Sequence, residues 1–137
     1  MSEQSTKANL VRNGDFTQEG KDWTSDTPEK VRYKDGYCVL QFPGLITQDV
    51  TIDSVGEFRF SVKMKTERGS ACTAQVLMHP SWEIRRLGMG GGTSWELQYV
   101  DFTLPLGTTK VTIKLQANDG PSDAFGSYFD DVRLEQR

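Results

Sequence analysis

Two stretches of strict alternation constrain this 137-residue chain more than any other feature. Across residues 57–65, Phe58, Phe60, Val62 and Met64 fall in one phase and Arg59, Ser61, Lys63 and Lys65 in the other. Across residues 110–118, Val111, Ile113, Leu115 and Ala117 alternate in the same way with Thr112, Lys114, Gln116 and Asn118. Successive side chains of a strand point to opposite faces, so each stretch reads as a strand with one dry and one wet side. Shorter strands follow at 37–42, 45–52, 71–79, 96–104 and 128–135, each bounded by Gly, Pro, Asn or Asp. Turn chemistry recurs at Arg12-Asn13-Gly14-Asp15, Lys34-Asp35-Gly36 and Asn118-Asp119-Gly120-Pro121. No helical period competes with this pattern. The spacing predicts an all-β fold: a two-sheet antiparallel β-sandwich.

The length suits one domain, read as residues 9–137 after a disordered, polar tail of residues 1–8. Residues 80–94, which hold the run Gly88-Met89-Gly90-Gly91-Gly92, are expected to form the longest irregular connection.

Charge removes several functions. Sixteen Lys and Arg against nineteen Asp and Glu give a net charge of −3, which leaves no basic footprint for nucleic acid. No apolar run reaches the roughly 18 residues of a membrane span. The first residues are polar and offer no secretory h-region. Cys38 and Cys72 fit neither a disulfide framework nor a metal-binding spacing, so both are expected to be small buried apolar groups.

Catalytic patterns are weak. The glycine run lacks the Gly-Lys-Ser/Thr ending of a phosphate loop. His79 is the one histidine, and neither Ser81 nor Cys72 stands in a nucleophile elbow. No pair of carboxylates stands out for glycoside hydrolysis. No enzyme is expected.

Strand parity instead collects a surface. Thr73, Gln75, Leu77 and His79 share one side of the strand at 71–79, and Trp82 follows after Pro80. Lys114 and Gln116 share a phase on theirs. Arg85 and Arg86 are adjacent, so in an extended segment at most one can face a given ligand. Aromatic, amide and charged groups together suit a sugar, which offers apolar ring faces and hydroxyls.

Three segments, Asn9-Leu10-Val11-Arg12-Asn13-Gly14-Asp15-Phe16 with Trp23 beyond it, the pair Ile46-Thr47-Gln48-Asp49-Val50 and Trp95-Glu96-Leu97-Gln98-Tyr99, and the closing Tyr128-Phe129-Asp130-Asp131-Val132-Arg133-Leu134, carry a resemblance. Together they resemble the carbohydrate-binding modules of the family 4, 9 and 22 type, galactose-binding-like jelly rolls attached to bacterial polysaccharide hydrolases. The resemblance spans residues 9–134. It implies a non-catalytic module, extracellular in setting, that holds an oligo- or polysaccharide in a sheet-face cleft. The resemblance places that cleft around Gln48, Gln75 and Gln116 and puts Trp23 and Trp95 in the core; the surface collected above adds His79, Arg85, Lys114 and Trp82, the last as the stacking ring because it follows Pro80 outside an alternating strand. The resemblance also implies a structural calcium ion held by Asp15, the backbone of Gly36 and Asp130, although Thr17 stands where the family often has a glutamate. A protein-interaction or assembly domain with a protein partner is the alternative use of the same sandwich.

Overall fold

The computed structural model describes residues 8–121 and 123–137. Apart from Ala8, the expected N-terminal tail lies outside these residues. Nine strands are described: β1 (Val31–Lys34), β2 (Tyr37–Gln41), β3 (Leu45–Thr51), β4 (Gly56–Thr66), β5 (Ala71–His79), β6 (Ile84–Gly90), β7 (Glu96–Leu104), β8 (Lys110–Asp119) and β9 (Phe125–Gln136). They pair antiparallel in a five-stranded sheet of order β1-β2-β9-β4-β7 and a four-stranded sheet of order β3-β8-β5-β6. One 3-10 turn, Pro28–Lys30, precedes β1. No described helix is long and apolar enough to cross a membrane.

The alternation fixes the core. Phe58, Phe60, Val62 and Met64 of β4 and Val111, Ile113, Leu115 and Ala117 of β8 are all buried between the sheets. Cys72, Ala74, Val76 and Met78 of β5 and Phe129, Val132 and Leu134 of β9 join them in one cluster. Trp23 is buried too, tilted against Phe16 at 5.4 Å, and its indole N–H donates to the Asn13 carbonyl at 3.0 Å.

Two strands were not foreseen. β1 is too short for its alternation to stand out. β6 occupies about half of the stretch expected to be irregular, where its glycines had argued against a strand because glycine ordinarily weakens one. Here Gly88 and Gly90 pair with Thr73 and Ala71 at the sheet edge. The connection between β5 and β6 thus shrinks to a turn at residues 80–83, closed by Trp82 N–H donating to the Met78 carbonyl at 2.7 Å.

Both cysteines are free and buried. Burial raises both thiol pKa values, that of Cys72 to about 12, so at pH 8 only about one Cys72 in 10,000 is thiolate. Neither thiol should therefore react with an aromatic disulfide reagent over minutes in buffer, whereas both should react at once in 6 M guanidinium. Rapid reaction in the folded state would contradict the packing described.

Candidate ligand-binding faces

The outer face of the four-stranded sheet is a grid. Thr47, Lys114, Gln75 and Arg86 lie in one cross-strand row, Asp49, Thr112, Leu77 and Ile84 in the next, and Leu45, Gln116, Thr73 and Gly88 in a third. His79 stands beside Lys110 at the end nearest the β5–β6 turn.

A chain of hydrogen bonds crosses this face. The Thr112 hydroxyl donates to Asp49 Oδ1 at 2.7 Å, and His79 Nε2 lies 2.9 Å from that same hydroxyl oxygen. A hydroxyl has one proton, so His79 must be the donor at Nε2. That fixes the orientation of the ring at the end of the hydrogen-bond chain. Lys110 Nζ sits 3.7 Å from the other Asp49 oxygen. Neither of the nucleophiles weighed beside His79 is activated: Cys72 points into the core, and the Ser81 hydroxyl accepts from Glu83 N–H.

Trp82 takes φ +65°, which turns it out of the strand line. Its indole meets the His79 imidazole edge-on, 4.4 Å between centroids, and stays 63% exposed. Five of the expected ligand residues therefore share this face or its rim: Gln75, His79, Trp82, Lys114 and Gln116. Gln75 is the least available, at 8% exposure, with its amide 3.4 Å from Thr73 Oγ1.

Two expected ligand residues are not on it. Gln48 is in phase with Ile46 and Val50, 3% exposed, and its amide accepts from Arg12 N–H at 2.8 Å and donates to the Arg12 carbonyl at 2.9 Å. It anchors the N-terminal segment from inside. Arg85 pairs with Val76 and so projects oppositely, its guanidinium donating to the Ile84 carbonyl and lying 3.9 Å from Glu83. Arg86, opposite Gln75, is the arginine that faces outward. Thr112 and Asp49 were missed as members of the grid, and of the two adjacent arginines Arg86 takes the place expected of Arg85.

The expected calcium ligands do not assemble. Gly36 lies beside the Asp15 backbone, but the Asp15 carboxylate is taken up by Thr17 N–H at 3.1 Å and Thr17 Oγ1 at 2.9 Å, which hold its pKa below the usual value. The last-strand carboxylate lining the same surface hollow as Asp15 is Asp131, already bonded to Arg133 Nε at 2.8 Å. A guanidinium thus provides the positive charge there. Asp130 faces elsewhere, opposite Lys63 on the outer side of the five-stranded sheet. Calcium requires six to eight convergent oxygens, and among the described residues no cluster of three or more His, Cys, Asp and Glu is suited to a metal. Asp15 and Asp130 instead line two separate surface hollows.

That second outer face carries more aromatic surface than the first. Trp95 was expected in the core and is 42% exposed instead. Its ring meets those of Tyr37 and Tyr128 edge-on, with centroids 5.8 and 6.1 Å away, while Tyr37 and Tyr128 lie 5.6 Å apart. A cleft of 410 Å³ opens beside it, lined by Lys63, Trp95, Glu96, Leu97 and Asp130. Desolvation there raises the Asp130 pKa. The signal was present: Trp95, Leu97 and Tyr99 alternate against buried Phe102 and Leu104.

No family model matches this chain, and no curated protein matches it in sequence. Among solved structures it is similar to a carbohydrate-binding module of family 4, at 18% identity and TM-score 0.69 over 93% of this chain and 99% of that one. It is similar to TmCBM61, a module of family 61 in complex with β-1,4-galactotriose, at 16% identity and TM-score 0.69 over 95% of this chain and 99% of that one. A third similar structure is the bacteriophage CBA120 tailspike protein 4 enzymatically active domain, at 15% identity and TM-score 0.66, where 93% of this chain matches 21% of that one. The chain has the carbohydrate-binding-module jelly-roll fold, which also occurs inside larger enzymes.

Proposed function

We propose that this chain is a non-catalytic carbohydrate-binding module whose ligand, an oligo- or polysaccharide, lies across the outer face of β3, β8, β5 and β6. The observation that carries the reading is Trp82: a tryptophan 63% exposed, held on a closed turn and braced by His79 at the end of a polar grid. An indole kept in water forfeits burial, and a stacked sugar ring recovers it. Lys114, Gln116 and Arg86 offer hydrogen bonds to hydroxyls, with Gln75 beneath them. The Asp49–Thr112–His79 chain holds its groups in place, so little order has to be created on binding. That solved modules of this fold include one with galactotriose bound supports the ligand class.

Calorimetry against soluble xylo-, cello-, galacto- and manno-oligosaccharides tests the reading. Trp82→Ala should lose about 2 kcal/mol, the scale of an interface hot spot, or close to thirtyfold in affinity. Lys114→Ala and Gln116→Ala should each cost about fivefold, the worth of one hydrogen bond. No binding of any glycan by the wild type would overturn the proposal.

A further inference from the structure

We propose that the cleft beside Trp95, on the outer face of the five-stranded sheet, is a second binding site that takes a neutral saccharide of one or two rings. The inference rests on the reading above only for the class of ligand. Its geometry is independent, on the opposite side of the sandwich.

Three features point there. The first is fixation without covering. Tyr37 and Tyr128 both meet the Trp95 ring edge-on, so it is pinned by packing while 42% of the residue stays in water. The second is size: 410 Å³ falls within the roughly 300–1,000 Å³ of small-molecule sites.

The third is charge. Lys63 lies directly across the ladder from Asp130. Lys65 Nζ sits 4.8 Å above the Tyr128 ring, and the Tyr128 hydroxyl donates to Glu67 at 2.7 Å. Glu96 accepts from Gln98 at 3.3 Å. The cleft thus mixes one lysine with two carboxylates, so an ion of either sign meets its own sign as well as the opposite one. A hydroxyl can accept from the lysine and donate to a carboxylate. A protein partner is the poorer match, because the buried centre of a protein interface is depleted of charge. Here three of the five lining side chains are charged, around one indole and one leucine.

The test uses Trp82→Ala, in which Trp95 is the one exposed indole among the described residues and its emission reports the cleft. Titrations use β-1,4-galactotriose, cellotriose and xylotriose, alongside Trp95→Ala in the wild-type background and Leu97→Asp in the Trp82→Ala background. Leu97 is exposed, and retained thiol protection confirms that the variants fold. At least one trisaccharide should shift the Trp95 emission saturably in Trp82→Ala, and Leu97→Asp should weaken that binding tenfold or more.

Binding by the wild type that vanishes in Trp82→Ala and survives in Trp95→Ala overturns the second site and leaves the first. Binding that survives in Trp82→Ala and vanishes in Trp95→Ala supports the second site and overturns the first. Silence of the wild type to all three sugars overturns this proposal, and the wider glycan panel then decides the first reading. A wild-type dimer in sedimentation that Trp95→Ala converts to monomer, with sugar affinity unchanged, makes the patch a self-interface and overturns the proposal as well.

Discussion

Phe60→Ala will lower the free energy of unfolding by about 3–5 kcal/mol, the range for truncating a large buried aromatic. Phe60 has no exposed surface and sits mid-way along β4, between β7 and β9, with Val100 and Leu134 as its cross-strand partners. Loss of the ring removes its transfer energy and leaves a cavity that two hydrogen-bonded neighbours cannot collapse into. A domain of this size has about 5–15 kcal/mol in total, so the variant should stand near the edge of folding at 37 °C. Urea denaturation should show a lower midpoint with an unchanged slope. A loss below about 1 kcal/mol would mean that the Phe58, Phe60, Val62, Met64 phase does not face the partner sheet. Sugar affinity of the folded fraction should not change, because both proposed binding faces point away from the core.

That experiment probes the most legible part of the chain. Alternation in β4 and β8 was long enough to assign both faces, and β5 and β7 begin and end at the residues expected. The same rule, applied without exception, also places Gln48. It shares its phase with Ile46 and Val50, so parity assigned it to the core while its amide suggested a wet surface. What decides the matter is a partner 36 residues away, the Arg12 backbone, and no local pattern reports that contact. Arg85 was chosen over Arg86 without parity, because β6 was not recognised, and the strand shows Arg86 to be the one that faces outward.

Asp130 and Asp131 failed for a different reason. The ladder between β4 and β9 shifts between Ser61 and Lys63: Ser61 faces Arg133 and Lys63 faces Asp130, which gives β9 one residue more than β4 in that interval. Asp131 takes φ +48° in this bulge. A bulge turns the following side chains relative to the preceding ones, and nothing in Tyr128-Phe129-Asp130-Asp131-Val132 reveals where it falls. Asp131 consequently sits with Asp15 and Arg133, and Asp130 with Lys63 and Trp95.

The N-terminal segment is tied closely to β9, and the second large prediction tests that joint. Gly14→Ala should cost about 3 kcal/mol, the upper end of ordinary overpacking, and lower the melting temperature by about 10 °C. A Cβ on Gly14 would lie 2.2 Å from the Val132 carbonyl oxygen, a backbone atom unable to swing aside. Moving it would break the 2.9 Å bond from Val132 N–H to the Gly14 carbonyl. The neighbouring ties from Asn9 to Val132 and Leu134 would be strained as well. Gly107→Ala is the converse control: its φ of +92° disfavours a side chain, yet no atom lies within 4 Å of the added carbon, whereas Gly14 is crowded without a left-handed φ. The Gly107 substitution should cost about 1 kcal/mol through backbone strain alone. If thermal melts show the two substitutions to be equal, the crowding at Gly14 costs no more than backbone strain at an open turn, and the joint is not closely packed there. If Gly14→Ala is much the worse, the glycine belongs to the joint between the first and last segments, the part of the motif that sequence reading had assigned to a metal.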